Sequence, residues 1–118
     1  MNHGHAGRSL LQQGEPWYVL RLYISGASPK SLQAVKNVKD ICVGSLNGRY
    51  DLEVVDLYQS PSRAAEDQIV ATPTLVKQAP LPSKRLIGTL SNADQVSRAL
   101  GIRSIDVDEV DKNDGARI

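Results

Sequence analysis

The segment Ile69-Val70-Ala71-Thr72-Pro73-Thr74-Leu75-Val76 places a proline between two runs of β-branched and apolar residues. Proline has no backbone N–H to donate, and it holds the residue before it in an extended conformation. Pro73 therefore fits neither a helix interior nor a central strand, and the chain is expected to turn at Thr72-Pro73 and start a strand at Thr74. The rest of the chain has to supply the sheet that receives it.

Trp17 to Ile24 (WYVLRLYI) is nearly continuous in apolarity and reads as a strand buried on both faces, apart from Arg21. Ser25-Gly26-Ala27-Ser28-Pro29 breaks it, with Ser28 typed as an N-cap and Pro29 as the first helical residue. Leu32, Val35, Val38 and Cys42 then recur at helical spacing to about residue 44, where Gly44 and Asn47-Gly48 are expected to stop the helix. Tyr50 to Leu57 alternates as a second strand, and a crossover helix between two strands argues for parallel pairing. Ser60-Pro61 introduces a short helix over 62–69. Thr74 to Lys77 and Arg85 to Thr89 read as a hairpin joined by Gln78-Ala79-Pro80-Leu81-Pro82-Ser83. Ser91-Asn92-Ala93-Asp94 resembles a capping box for a last helix with Val96, Ala99 and Leu100 on its inner face. The expected order is β, α, β, α, β, β, α, in the α/β class.

With 118 residues, 41% apolar and 23% charged, the chain suits one domain, expected over 17–102. Fourteen basic and thirteen acidic side chains leave a net charge of +1, which gives no electrostatic case for nucleic acid or an anionic membrane. No apolar run is long enough for a membrane span or a signal peptide, so the chain is expected in the cytoplasm. Residues 1–16 read as a flexible arm. Their His3 and His5 lack the further ligands a metal site needs, and no metal is assigned. Residues 103–118, with the acidic run Asp106 to Asp111, read as a disordered tail. A role for that tail in masking basic surface is open.

This element order is the thioredoxin order, and Thr72-Pro73 stands where thioredoxins place a cis-proline beside their redox site. Their C-x-x-C lies between the first strand and first helix, where this chain has Ser25-Gly26-Ala27-Ser28. A serine hydroxyl cannot replace a thiolate, and the lone Cys42 reads as a small core residue. A thiol enzyme using Cys42 and an adaptor for an unrelated partner are the alternatives. Glu66 and Asp67 are neighbours that point apart, there is no Gly-rich phosphate loop, and no cofactor is expected. Binding is the better class of function.

Tyr18 to Pro29, Tyr50 to Asp56, Glu66-Asp67 with Ile69, Ala71-Thr72-Pro73-Thr74-Leu75, Pro80-Leu81-Pro82 and Arg85-Leu86-Ile87-Gly88 followed by Leu90-Ser91 resemble the KaiB family of clock proteins. The resemblance runs from about Tyr18 to Leu100. It implies a non-enzymatic protein that binds the hexameric ATPase KaiC, sequesters KaiA where that is present, and competes with a related histidine-kinase sensor domain. It also implies two arrangements of the C-terminal half, a thioredoxin-like ββα in a monomer and an alternative ending in a strand in a resting tetramer or dimer. Pro73, Pro80 and Pro82 are then the candidate switch prolines, because X-Pro isomers exchange slowly. Arg21, Lys36, Lys77, Lys84 and Arg85 stand where the family carries positive charge for its partner. The chain departs from the family with Gln33 and Gln68 in place of cations, and with Ala99-Leu100-Gly101 in place of an earlier Gly, which favours the last helix.

Overall fold

A computed structural model describes residues 16–102, so the expected arm (apart from Pro16) and the acidic tail lie outside the described residues. Within them the order is β1 (Tyr18–Ile24), α1 (Pro29–Ile41), a π turn (Cys42–Leu46), β2 (Tyr50–Asp56), a 3-10 helix (Pro61–Glu66), β3 (Thr74–Ala79), β4 (Lys84–Ile87) and α2 (Ala93–Leu100). The four strands form one sheet in the order β2-β1-β3-β4. β1 pairs with β2 in parallel, Tyr18 opposite Tyr50 through Ile24 opposite Asp56, as the intervening helix requires. β3 runs antiparallel to both β1 and β4.

Both helices cover one face of this sheet. Tyr18, Leu20, Leu22 and Ile24 of β1 and Leu75 of β3 pack there against Ala34, Val38 and Ile41 of α1 and Val96 and Leu100 of α2. The second face has a smaller cover, in which Tyr23, Val55 and Val76 are buried beneath Leu57 and Ile69. β1 is thus buried mainly toward the helices, and Trp17 is not part of it: it is 53% exposed, with its indole N–H on Asp51 at 3.1 Å.

The caps explain the helix positions. Ser28 Oγ accepts from Ser31 N at 3.2 Å, and Pro29 opens α1. The inward face is Ser31, Ala34, Val38 and Ile41, and Leu32 is 56% exposed instead of buried. Ser31 can be buried because its hydroxyl is satisfied locally, accepting from Ser25 N at 3.2 Å and Ser28 Oγ at 2.9 Å. The helix does not stop at Gly44. It widens into the π turn and ends at Asn47, whose φ of 49° is left-handed. The expected second helix is a six-residue 3-10 helix, and β4 begins at Lys84 and ends at Ile87. In α2 it is Asn92 that caps, accepting from Gln95 N at 3.0 Å, and Gly101 at φ 74° closes the helix.

Candidate protein-binding site

The loop between β1 and α1 is tied to the proline turn. Ser25 Oγ and Thr72 Oγ1 lie 2.6 Å apart, and the Thr72-Pro73 bond is cis, as are Ala79-Pro80 and Leu81-Pro82. Gly26 takes φ +63°, and Tyr58 lies across it, so that a Cβ there would stand 2.7 Å from the ring. Asp56 fixes both partners, its Oδ1 accepting from Gly26 N and Tyr58 N at 2.9 Å each. Oxygen and glycine occupy the loop, and sulfur is at the other end of α1. Cys42 follows the last residue of that helix and is fully buried, and burial pushes its thiol pKa up to about 11.

Against an ordinary thiol pKa of about 8.5, this leaves on the order of 10²-fold less thiolate near neutral pH. The native protein is expected to react with a disulfide reagent at least that much more slowly than the unfolded chain. It should also give no insulin reduction above a Cys42→Ser control. A fast native reaction would mean that the thiol is accessible.

The open face of the sheet carries a charged network that sequence reading did not assemble. Arg21 emerges between Val19 and Tyr23 and lies opposite Glu53 in the register. Its guanidinium reaches Glu53 at 3.2 Å, Glu66 at 3.1 Å and Asp67 at 3.3 Å, and it donates to Tyr23 Oη at 3.2 Å. Tyr23 donates in turn to Asp67 Oδ2 at 2.7 Å, and Gln78 Nε2 donates to the same oxygen at 3.3 Å. Arg63 joins Glu53 to Glu66 from the 3-10 helix, at 2.6 and 3.0 Å. The hydrogen bond to Tyr23, with the nearby carboxylates, raises the Arg21 pKa, whereas burial leads in raising that of Tyr23. The hydrogen bond from Arg63 is the main cause holding Glu53 below the usual carboxylate range. One signal was legible: an Arg inside an apolar strand needs carboxylates to receive it, and Glu66-Asp67 is such a pair.

The five cations named from the sequence are therefore not one patch. Arg21 is internal to the network, its side chain 22% exposed. Lys77 is no surface cation in this arrangement: it is 3% exposed, lies on the helix face opposite Leu20, and donates to Leu100 O at 3.0 Å. Burial, then the charge of Lys84, lowers its pKa. Lys36 is on the exposed side of α1, paired with Asp40 at 2.9 Å. Lys84 and Arg85 are exposed on the edge strand β4 and point to opposite faces, Lys84 opposite Lys77 and Arg85 opposite Val76. Arg85 donates to the carbonyls of Asp67 and Gln68 at 2.7 and 3.3 Å, so it also clasps the loop after the 3-10 helix. Among the described residues no cluster of three or more His, Cys, Asp or Glu side chains could hold a metal. No helix there is long and apolar enough to cross a membrane.

Comparison with known proteins agrees with this architecture. The sequence is 46% identical over 84 residues to the circadian clock protein KaiB3 of Synechocystis, a match covering 71% of this chain and 82% of that protein. The structure is similar to the N-terminal domain of Synechococcus elongatus SasA, with a TM-score of 0.59, 27% identity, and 73% of this chain and 85% of that one covered. It also aligns with chloroplastic thioredoxin z at a TM-score of 0.60 and 18% identity, covering 83% of this chain and 87% of that one, which establishes the thioredoxin-like fold. The sequence model of the KaiB domain matches residues 21–102, from the network arginine of β1 to the buried Ile102 just past the last helix, and the chain belongs to the KaiB family.

Proposed function

We propose that this protein is a clock or timing component that binds a hexameric KaiC-type ATPase, modulates its phosphorylation state, and sequesters KaiA where that protein is present. Family membership carries the reading. The site supports binding over catalysis, because the loop that would bear redox thiols holds Ser25 and Ser28 while the one cysteine is buried elsewhere. In this reading the thioredoxin-like arrangement is the binding-competent one, and a resting homotetramer or dimer stores the chain in another. Pro73, Pro80 and Pro82 flank β3 and the β3–β4 connection that would have to be rebuilt between the two. The likeness to the SasA N-terminal domain supports competition between that kind of sensor domain and this chain for one ATPase surface.

Lys36, Lys84 and Arg85 reach solvent and are the candidate contacts to an acidic partner surface. Arg21 and Lys77 act from within, by holding the arrangement that presents them. Charges at the rim of an interface set association rate and salt dependence more than residual affinity. A Lys84→Ala/Arg85→Ala variant is therefore expected to associate with the immobilised ATPase hexamer several-fold more slowly at low salt, with a flatter salt dependence. Identical kinetics for variant and parent would remove these two residues from the contact.

A further inference from the structure

The helix-side edge of the sheet holds positive charge without matching negative charge. Lys77 and Lys84 face each other directly across β3 and β4, an arrangement in which like charges destabilise the pair. Lys77 is buried, with its ammonium on the carbonyl of Leu100 and 5.7 Å from the centroid of the Tyr18 ring. Arg98 adds a third cation in the last turn of α2. Among the described residues no carboxylate is hydrogen-bonded or ion-paired to any of the three, and Lys84 and Arg98 have no side-chain partner. The C-terminus of α2 offers the equivalent of about half a negative charge, too little for three cations.

The chain itself supplies more. Ile102 is buried beside α2, and the sequence beyond it reaches Asp106, Asp108, Glu109 and Asp111 with no cation among residues 104–111. Four residues from Ile102 span at most about 14 Å, while paired strands lie about 4.8 Å apart, so these carboxylates can reach Lys84 and the end of α2. We propose that the acidic segment Asp106–Asp111 docks back on the edge formed by β4 and the C-terminus of α2, with Lys84 as its principal anchor and Lys77 and Arg98 as flanking charges. The docking needs no partner protein. It covers Lys84 until an acidic partner surface displaces the segment, and it leaves the opposite face of β4, where Arg85 stands, uncovered.

A nitroxide placed beyond the segment by Ala116→Cys tests this in the full chain, since the buried Cys42 thiol is protected from labelling. At low salt the amides of Lys84 and of the α2 C-terminus are expected to lose intensity through paramagnetic relaxation. The loss should vanish in a D106N/D108N/E109Q/D111N variant, in Lys84→Glu, and near 1 M salt, where the screening length falls to about 3 Å. Lys39→Glu, on the exposed side of α1, should leave it unchanged. Broadening seen only in unlabelled molecules mixed with labelled ones would overturn the proposal in favour of a second copy as the occupant. Broadening on another face, or none, would overturn it outright.

Discussion

Replacing Leu100 by alanine is expected to cost about 2–5 kcal/mol of stability, the range for emptying a buried leucine site. Leu100 is 1% exposed and packs into the main core, and its carbonyl accepts from Lys77 Nζ at 3.0 Å and Tyr18 Oη at 3.4 Å. α2 has eight residues, too few to persist as a helix without its packing. The loss should therefore be local before it is global. Hydrogen exchange is expected to quicken in α2 well beyond its increase in β1, and the urea midpoint should fall. Leu32→Ala, at a side chain 56% exposed, should change stability by no more than about 0.5 kcal/mol. Similar losses at the two leucines would contradict the packing described.

The contrast between Leu32 and Leu100 also marks where sequence reading succeeds. The unit β1-α1-β2 follows from residues of one meaning: Ser28 and Pro29 fix the helix start, and the apolar runs on either side admit only strands. The inward face of α1 was less legible, since Ser31 is a polar residue whose burial depends on hydroxyl contacts with Ser25 and Ser28. A helical period places a stripe only to within about one residue, and Leu32 was the more apolar neighbour. The burial of Lys77 is hard to read for a related reason: the family resemblance offers it as a partner contact, whereas the period of two from Leu75 in an inner strand puts it on the helix face. The open-face network joins residues 21, 23, 53, 63, 66, 67 and 78, and such long-range pairing cannot be read from local spacing.

Asp67→Ala is expected to cost about 2–3 kcal/mol. Its Oδ2 accepts from Arg21, Tyr23 and Gln78, and the Tyr23 ring is fully buried, so truncation leaves the Tyr23 O–H without its acceptor, a loss of about 1–3 kcal/mol. Arg21 keeps Glu53 and Glu66, which limits the electrostatic part. The mechanism predicts non-additivity: in a Tyr23→Phe background the stranded hydroxyl is gone, and Asp67→Ala should cost at least about 1 kcal/mol less. Urea unfolding of the four proteins closes this cycle. Additive losses would show that the hydrogen bond between Tyr23 and Asp67 contributes little.

The network and the buried end of α2 hold opposite faces of one sheet, and together they fix the thioredoxin-like arrangement in which Lys84, Arg85 and Lys36 are presented. In the proposed function this arrangement serves to bind a KaiC-type ATPase. Native mass spectrometry of the full chain, incubated at length with its cognate hexamer, tests it most directly. Hexamer masses raised by whole copies of this chain, with several copies per ring, are the expected result. A hexamer that stays unliganded after prolonged incubation, beside folded and unbound chain, would contradict it.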